Sequence, residues 1–310
     1  MTDVFTPVYA ANLGLMIVEF ADAYSGNPNE VRPVLPQGSI LANNWIIDGY
    51  LVANDGLFPV GESSVLTAVT VCYGVLAHLV ATPNQYVVLL RGTAGTREWL
   101  IDAEFFQVAH PIPGSGNVER GFHDIYATME FLPANGTGNE GLIAWKAITS
   151  IVGQGDLVVA GHSLGSTLAT YLTYDLVKLG NMANCVRGCY FASPRPGNAD
   201  FAQAFDSAVS QYVVYDYAPD EIPDTPPELS GYQSLPKVME ITPENSKAVI
   251  SNNLGANHHM LCYCAMLDYN AVLDWKTLLI ADQDDPQSIV GPNVQEASQP
   301  SAVQDSLSFA

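Results

Sequence analysis

The sequence predicts an α/β protein with a largely parallel sheet, and three observations lead there. From residue 86 to 217, short apolar runs alternate with helix-like segments, the pattern of parallel strands joined by crossover helices. Inside that stretch, residues 156–160 form an apolar run suited to a buried strand. The run enters a glycine turn, Gly161-His162-Ser163-Leu164-Gly165, and a helical segment follows at once. There Leu164, Leu168, Leu172, Leu176 and Leu179 recur at steps of three and four. At 310 residues and 48% hydrophobic, the chain is also long enough for a sizeable core.

The other elements follow in order. Residues 7–23 predict a helix, with apolar Val8, Leu15, Val18 and Ala21, stopped by Ser25-Gly26-Asn27-Pro28. Residues 26–44, rich in Pro, Asn and Gly, predict an irregular loop, and 45–52 a strand. Residues 67–80 and 86–90 predict two strands joined by a hairpin turn at 81–85, with His78 as a strand residue. Residues 121–130 and 141–152 predict helices, and 186–192 a strand. A helix to about 209 and a strand at 212–217 come next. Residues 224–255 predict loop and short strands before a C-terminal helix beginning at His258. Gly180 stands where a helix C-cap glycine belongs. The expected organisation is one domain over 1–280 and a mobile polar tail over 281–310, which lacks Lys and Arg.

Composition narrows the function. The formal net charge of −21 makes a surface that repels nucleic acid and anionic headgroups while tolerating neutral substrates, including neutral lipid. Charged residues are only 14%, so the acidity reflects scarce Lys and Arg. Cys72, Cys185, Cys189, Cys262 and Cys264 are odd in number, in apolar stretches and without partners at zinc-site spacing. They predict buried free thiols, with no metal implied. The N-terminus lacks a basic leader pattern, and no uncharged run reaches membrane-spanning length, so the chain reads as soluble.

Gly161-His162-Ser163-Leu164-Gly165 fits G-x-S-x-G in the strand–turn–helix setting of a nucleophile elbow, which lifts Ser163 above the sheet edge. Glycine is required on both sides because a Cβ would strike the neighbouring strand and helix. A serine hydroxyl is a poor nucleophile at neutral pH and needs a base, which in turn needs an acid to orient it. In α/β-hydrolases the order is Ser, acid, His. Beyond Ser163 the histidines are His258 and His259, so the base is one of these. Asp216, Asp220 and Asp224 are candidates for the acid. Asp220 is favoured because it sits just past a strand, in a turn bracketed by Pro219 and Pro223. Acyl transfer also needs oxyanion donors: the Leu164 N–H, and a second from the turn Arg91-Gly92-Thr93, where Thr93 fits.

Taken together, these segments resemble the class 3 lipase family, the fungal-type triacylglycerol lipases with related phospholipases and feruloyl esterases. The likeness runs from about 86 to 265. Val87-Val88-Leu89-Leu90-Arg91-Gly92-Thr93 with Trp99 and Asp102 is similar to the family's oxyanion strand and lid entry. Gly121-Phe122, the GHSLG elbow, the segment from Phe191 through Pro194-Arg195-Pro196-Gly197-Asn198, and Asp220-Glu221-Ile222-Pro223-Asp224 follow in family order. The resemblance implies an α/β-hydrolase fold, with a mostly parallel central sheet, helices on both faces and a short helical lid at about 94–104. It implies a triad of Ser163, Asp220 and His258, with Thr93 and Leu164 as oxyanion donors and no cofactor. Asn257, His258 and Tyr263 fit one family spacing, and another leaves His259 open. The implied activity is hydrolysis of acyl esters of neutral lipids, at a lipid–water interface. The alternatives are a short-chain or feruloyl-type esterase, a phospholipase A1, or a catalytically silent lipid-binding protein on the same fold.

Overall fold

The computed structural model describes residues 5–28, 30–55, 69–92, 105–136, 141–246, 248, 250 and 253–275. The expected lid at 94–104 and tail at 281–310 lie outside the described residues.

Thr6 caps helix α1 (Pro7–Ser25), its side chain accepting from the Tyr9 N–H, with Pro7 inside the first turn where its missing N–H costs nothing. Residues from Tyr9 to Phe20 are buried all round, so α1 is a core helix. The predicted loop after it contains a short helix, α2 (Ile40–Asn44), capped by Ser39. Strands β1 (Trp45–Asp55), β2 (Val69–Leu79) and β3 (Thr82–Leu90) form an antiparallel meander. Leu79 pairs with Thr82, so only Val80 and Ala81 turn the chain, and the predicted turn at 81–85 is largely strand. A small ribbon, β4 (Gln107–Ala109) and β5 (Asn117–Glu119), stands apart from the main sheet.

The predicted helix at 121–130 ends early, as α3 (Arg120–Ala127), and β6 (Glu130–Pro133) follows it. The next predicted helix starts late: β7 (Leu142–Ile143) precedes α4 (Ala144–Val152). In both cases non-local pairing overrides a local helical pattern, because β1 offers Gly49–Val52 as partner to β6 and β7 extends that edge. Next come β8 (Asp156–His162), α5 (Leu164–Lys178), β9 (Val186–Phe191), α6 (Ala199–Ala208), β10 (Tyr212–Asp216) and β11 (Val238–Glu240). The chain then forms α7 (Leu254–His258) and α8 (Met260–Leu267), with His259 as the break between them. His258 therefore ends a short helix, where the sequence predicted the start of a longer one.

The main sheet has the order β11-β10-β9-β8-β3-β2-β1-β6-β7. Its pairs from β3 to β11 are parallel, and those from β3 to β7 antiparallel. Side chains of β8 alternate between two cores. Val158 and Ala160 join α1 and α8 on one face, and Leu157 and Val159 join α3, α4, α5 and α6 on the other. Helices on both faces bury the parallel half of the sheet, and a nearly continuous apolar run at 156–160 is what such a strand requires. Helix α5 is buried from Leu164 to Val177, so the leucine stripe seen in the sequence is one side of a helix covered all round. Gly180 lacks a left-handed φ; Asn181 carries it (φ 56°). Glycine is needed at 180 for space instead, since a Cβ would lie 2.5 Å from Thr149 Oγ1 and 2.6 Å from the Leu176 carbonyl. None of the five cysteines forms a disulfide; four are buried as expected, while Cys185 is half-buried, and no helix among the described residues is long and apolar enough to cross a membrane.

Glu19 ties α1 to α2. Its carboxyl oxygens accept from the N–H groups of Ile40 (2.5 Å) and Leu41 (2.9 Å), the orphan donors at the start of α2. Burial outweighs these bonds and pushes its pKa up to about 7. A carboxyl raised in the fold binds its proton more tightly folded than unfolded. Its contribution to stability is therefore complete below about pH 4.5 and is lost as pH rises through about 7. Relative to Glu19→Gln, the wild-type protein is expected to lose about 3 kcal/mol between pH 4.5 and 8. Urea unfolding of both proteins across that window measures it; parallel pH profiles would refute the assignment.

Candidate active site

Both glycines of the elbow have identifiable neighbours. A Cβ at Gly161 would strike the Gly165 carbonyl in α5, and a Cβ at Gly165 would strike the Leu90 and Arg91 carbonyls at the end of β3. Ser163 adopts φ 58°, ψ −130°, a region rare for residues with a side chain. This strained turn is held from below. Ser166 Oγ bonds the Gly161 carbonyl (2.6 Å) and the Phe191 carbonyl (2.7 Å), and the Ser163 N–H donates to the Phe191 carbonyl (3.0 Å). Gly165→Ala is expected to destabilise the protein by about 3 kcal/mol, because the obstacles are backbone carbonyls that cannot swing aside. Urea denaturation measures it, and a wild-type midpoint would show that the strand and helix can separate at no cost.

Three side chains predicted from the sequence meet above the elbow. His258 Nε2 is 2.8 Å from Ser163 Oγ, and His258 Nδ1 is 2.8 Å from Asp220 Oδ2. A carboxylate only accepts, so Nδ1 carries the imidazole proton and the bare Nε2 accepts from the Ser163 hydroxyl. Asp220 leaves the turn after β10 as expected, with its side chain 1% exposed. Its Oδ1 accepts from the Ile222 N–H (3.1 Å), and its Oδ2 accepts also from the Tyr263 hydroxyl (2.8 Å). Three donors thus converge on one buried carboxylate, which offsets the cost of burying its charge.

The alternatives lie elsewhere. Asp216 is still in β10, its pKa raised to about 6 by burial first and then by the charge of Asp220. The Asp224 side chain is 76% exposed and pairs with Arg195. His259 caps α8, its Nδ1 accepting from the Leu261 N–H (3.2 Å). His78 pairs with Asp48 (2.9 Å) beside Tyr86, at the opposite end of β3 from the elbow.

Leu164 opens α5 directly after Ser163, where helix N–H groups lack partners within the helix and the dipole is positive. Thr93 lies outside the described residues. Its neighbour Gly92 abuts the nucleophile: a Cβ there would lie 3.0 Å from Ser163 Cβ. The chain after β3 therefore passes beside Ser163 because Leu90 pairs with Gly161 on the adjacent parallel strand. No group of three or more His, Cys, Asp or Glu side chains among the described residues could hold a metal ion.

Some supporting residues had little signal in the sequence. Arg195, 7% exposed, donates to the Pro226 carbonyl (2.9 Å), the Asp224 carbonyl and Asp224 Oδ1 (2.6 Å), while its own N–H donates to the Thr225 carbonyl (2.7 Å). It clamps the loop that carries the acid to the loop after β9. Asn257 Nδ2 donates to the Pro219 carbonyl (2.9 Å) and so ties the base-bearing helix to the same turn. A cation in a proline-rich loop and an Asn beside a His were the available hints, and neither identifies its target.

Known proteins resemble this chain in sequence and in fold. The family model described as Lipase (class 3) matches residues 87–230. Phospholipase A1-II 5 of Oryza sativa subsp. indica is 29% identical over 205 residues, covering 58% of this chain and 44% of the relative. Secreted mono- and diacylglycerol lipase A of Penicillium cyclopium is 28% identical over 179 residues, covering 56% and 53%. The chain thus spans about half the length of these relatives. Among solved structures, the Rhizomucor miehei lipase propeptide complex aligns with a TM-score of 0.53 at 19% identity, covering 76% of this chain and 67% of that one. At that identity the likeness concerns the fold: an α/β-hydrolase sheet with helices on both faces.

Proposed function

This chain belongs to the class 3 lipase family, and on that premise we propose that it is a serine carboxylester hydrolase acting on acyl esters of neutral lipids. The observation that carries the reading is the continuous path from Ser163 Oγ through His258 to the buried Asp220. In this mechanism, His258 Nε2 takes the Ser163 proton as Oγ attacks the ester carbonyl carbon. The oxyanion that forms is stabilised by the Leu164 N–H and by a second donor at Thr93. Collapse expels the alcohol, which receives its proton from His258, and an acyl-enzyme remains. Water then repeats the cycle, losing a proton to His258 and releasing the fatty acid. Asp220 keeps its charge throughout, holding Nδ1–H in place and stabilising the imidazolium.

A second reading within the same chemistry is a phospholipase A1. It is favoured by the rice relatives that carry that name, at 29–30% identity. The deciding experiment measures hydrolysis of p-nitrophenyl esters from acetate to palmitate, then fatty-acid release from emulsified glycerides and from phosphatidylcholine vesicles. Preference for long chains and glycerides supports the lipase reading. Preferential release from the first position of phosphatidylcholine supports the phospholipase. A maximum at acetate or butyrate makes it a small-ester esterase, and no turnover on any ester overturns the enzyme.

A further inference from the structure

We propose that His162, the residue before the nucleophile, is a positioning residue that ties the base His258 to the strand carrying Ser163; the proposal rests on the hydrolase reading above. The His162 side chain turns onto the base. His162 Nε2 lies 2.9 Å from the backbone carbonyl of His258. A carbonyl only accepts, so Nε2 carries the proton and donates it. The imidazole rings of His162 and His258 lie 4.8 Å apart, tilted by 34°.

The bond matters because of where His258 sits. It is the last residue of the five-residue α7, which is too short to hold its own geometry, and its carbonyl belongs to the set a helix end leaves without an internal partner. The His162 N–H supplies that partner from the end of β8. Ser163 is the next residue along the chain, so nucleophile and base are joined by one rigid side chain as well as by their own hydrogen bond. The same ring also faces two other parts of the site. Tyr263, which donates to Asp220, lies edge-on to it at 6.2 Å. On its Nδ1 side, a Cβ at Gly92 would come within 3.6 Å, so the ring borders the turn after β3.

Its charge state fits this role. Burial, and then the neighbouring His258 ring, hold the His162 pKa well below its ordinary value. His162 therefore stays neutral while His258 takes up its proton, and two adjacent imidazolium rings never have to coexist.

The test compares wild type, His162→Phe and His162→Gln on p-nitrophenyl butyrate, with kcat and KM read separately. His162→Phe keeps a flat ring and removes the donor. It is expected to lower kcat about 10- to 100-fold with KM changed less than about 3-fold, the loss typical of a misplaced catalytic group. His162→Gln retains an N–H donor and is expected to recover most of that loss. Wild-type kcat in His162→Phe, or no recovery in His162→Gln, overturns the proposal. A second measurement needs neither variants nor turnover. The ring nitrogens of His162 in the ¹⁵N-labelled wild-type protein are expected to report a neutral ring with the proton on Nε2 at pH 6. An imidazolium, or a proton on Nδ1, overturns the proposal directly. A wild-type protein inert towards every ester would instead refute the hydrolase reading, and the ring spectrum would still decide whether the tie exists.

Discussion

Ser163→Ala is expected to lower kcat on p-nitrophenyl butyrate by about 10⁵- to 10⁶-fold while the protein stays folded. Ser163 Oγ forms the covalent bond to the acyl group, and nothing else in the proposed mechanism can replace it. The structural effect is small by comparison. The Cβ is retained, so the elbow keeps its φ of 58°, and the change removes one hydrogen bond, to His258 Nε2. The melting temperature is expected to move by no more than about 4 °C. Two readouts check this: steady-state hydrolysis, and covalent labelling by a fluorophosphonate probe, which should mark the wild type and spare the variant. Full residual turnover with a normal melt would remove Ser163 from the mechanism.

Asp220→Asn is expected to lower kcat by about 10⁴-fold, a loss out of proportion to a change of one atom. Asp220 receives three donors: His258 Nδ1–H and the Tyr263 hydroxyl at Oδ2, and the Ile222 N–H at Oδ1. An amide offers one acceptor oxygen and one NH₂ group, so one side of the site must set donor against donor. If the NH₂ faces His258, the imidazole must move its proton to Nε2, where it can no longer accept from Ser163. If the amide turns the other way, the Ile222 N–H is left facing a donor and the turn is destabilised. The measurement pairs kcat with the melting temperature, so that a chemical loss is separated from an unfolded fraction. A drop of less than about tenfold would mean that His258 holds its tautomer without the carboxylate.

The site was legible in the sequence where chemistry demands particular residue types at particular spacings. A serine between two close-packed glycines, a rigid acidic turn after a later strand and a histidine near the C-terminus have few substitutes, so their identities survive in a one-dimensional reading. The supports were less visible. Arg195 acts by donating to backbone carbonyls, and any loop residue offers a carbonyl, so nothing in residues 224–226 marks them as its partners. Ser166 was hidden in the same way, looking like an ordinary helix residue while its hydroxyl held the elbow to β9. The choice of His258 over His259 also depended on geometry. Both occupy the same few residues of chain, and the break at His259 turns one ring towards Ser163 and leaves the other to cap a helix.

By itself the sequence determined the α/β class, the order of the parallel strands' segments and the elbow, because each of these is written in local periodicity and in the spacing of glycines around one serine. Tertiary structure alone decided that residues 130–133 and 142–143 would extend the sheet, that Asp220 would receive three donors, and that His162 would lie against His258. The physical reason is the same in each case. A β-strand pairing or a buried polar contact gains its free energy from a partner distant in the chain, so its stability exists only once the fold has brought that partner within about 3 Å for a hydrogen bond or about 5 Å for strand pairing.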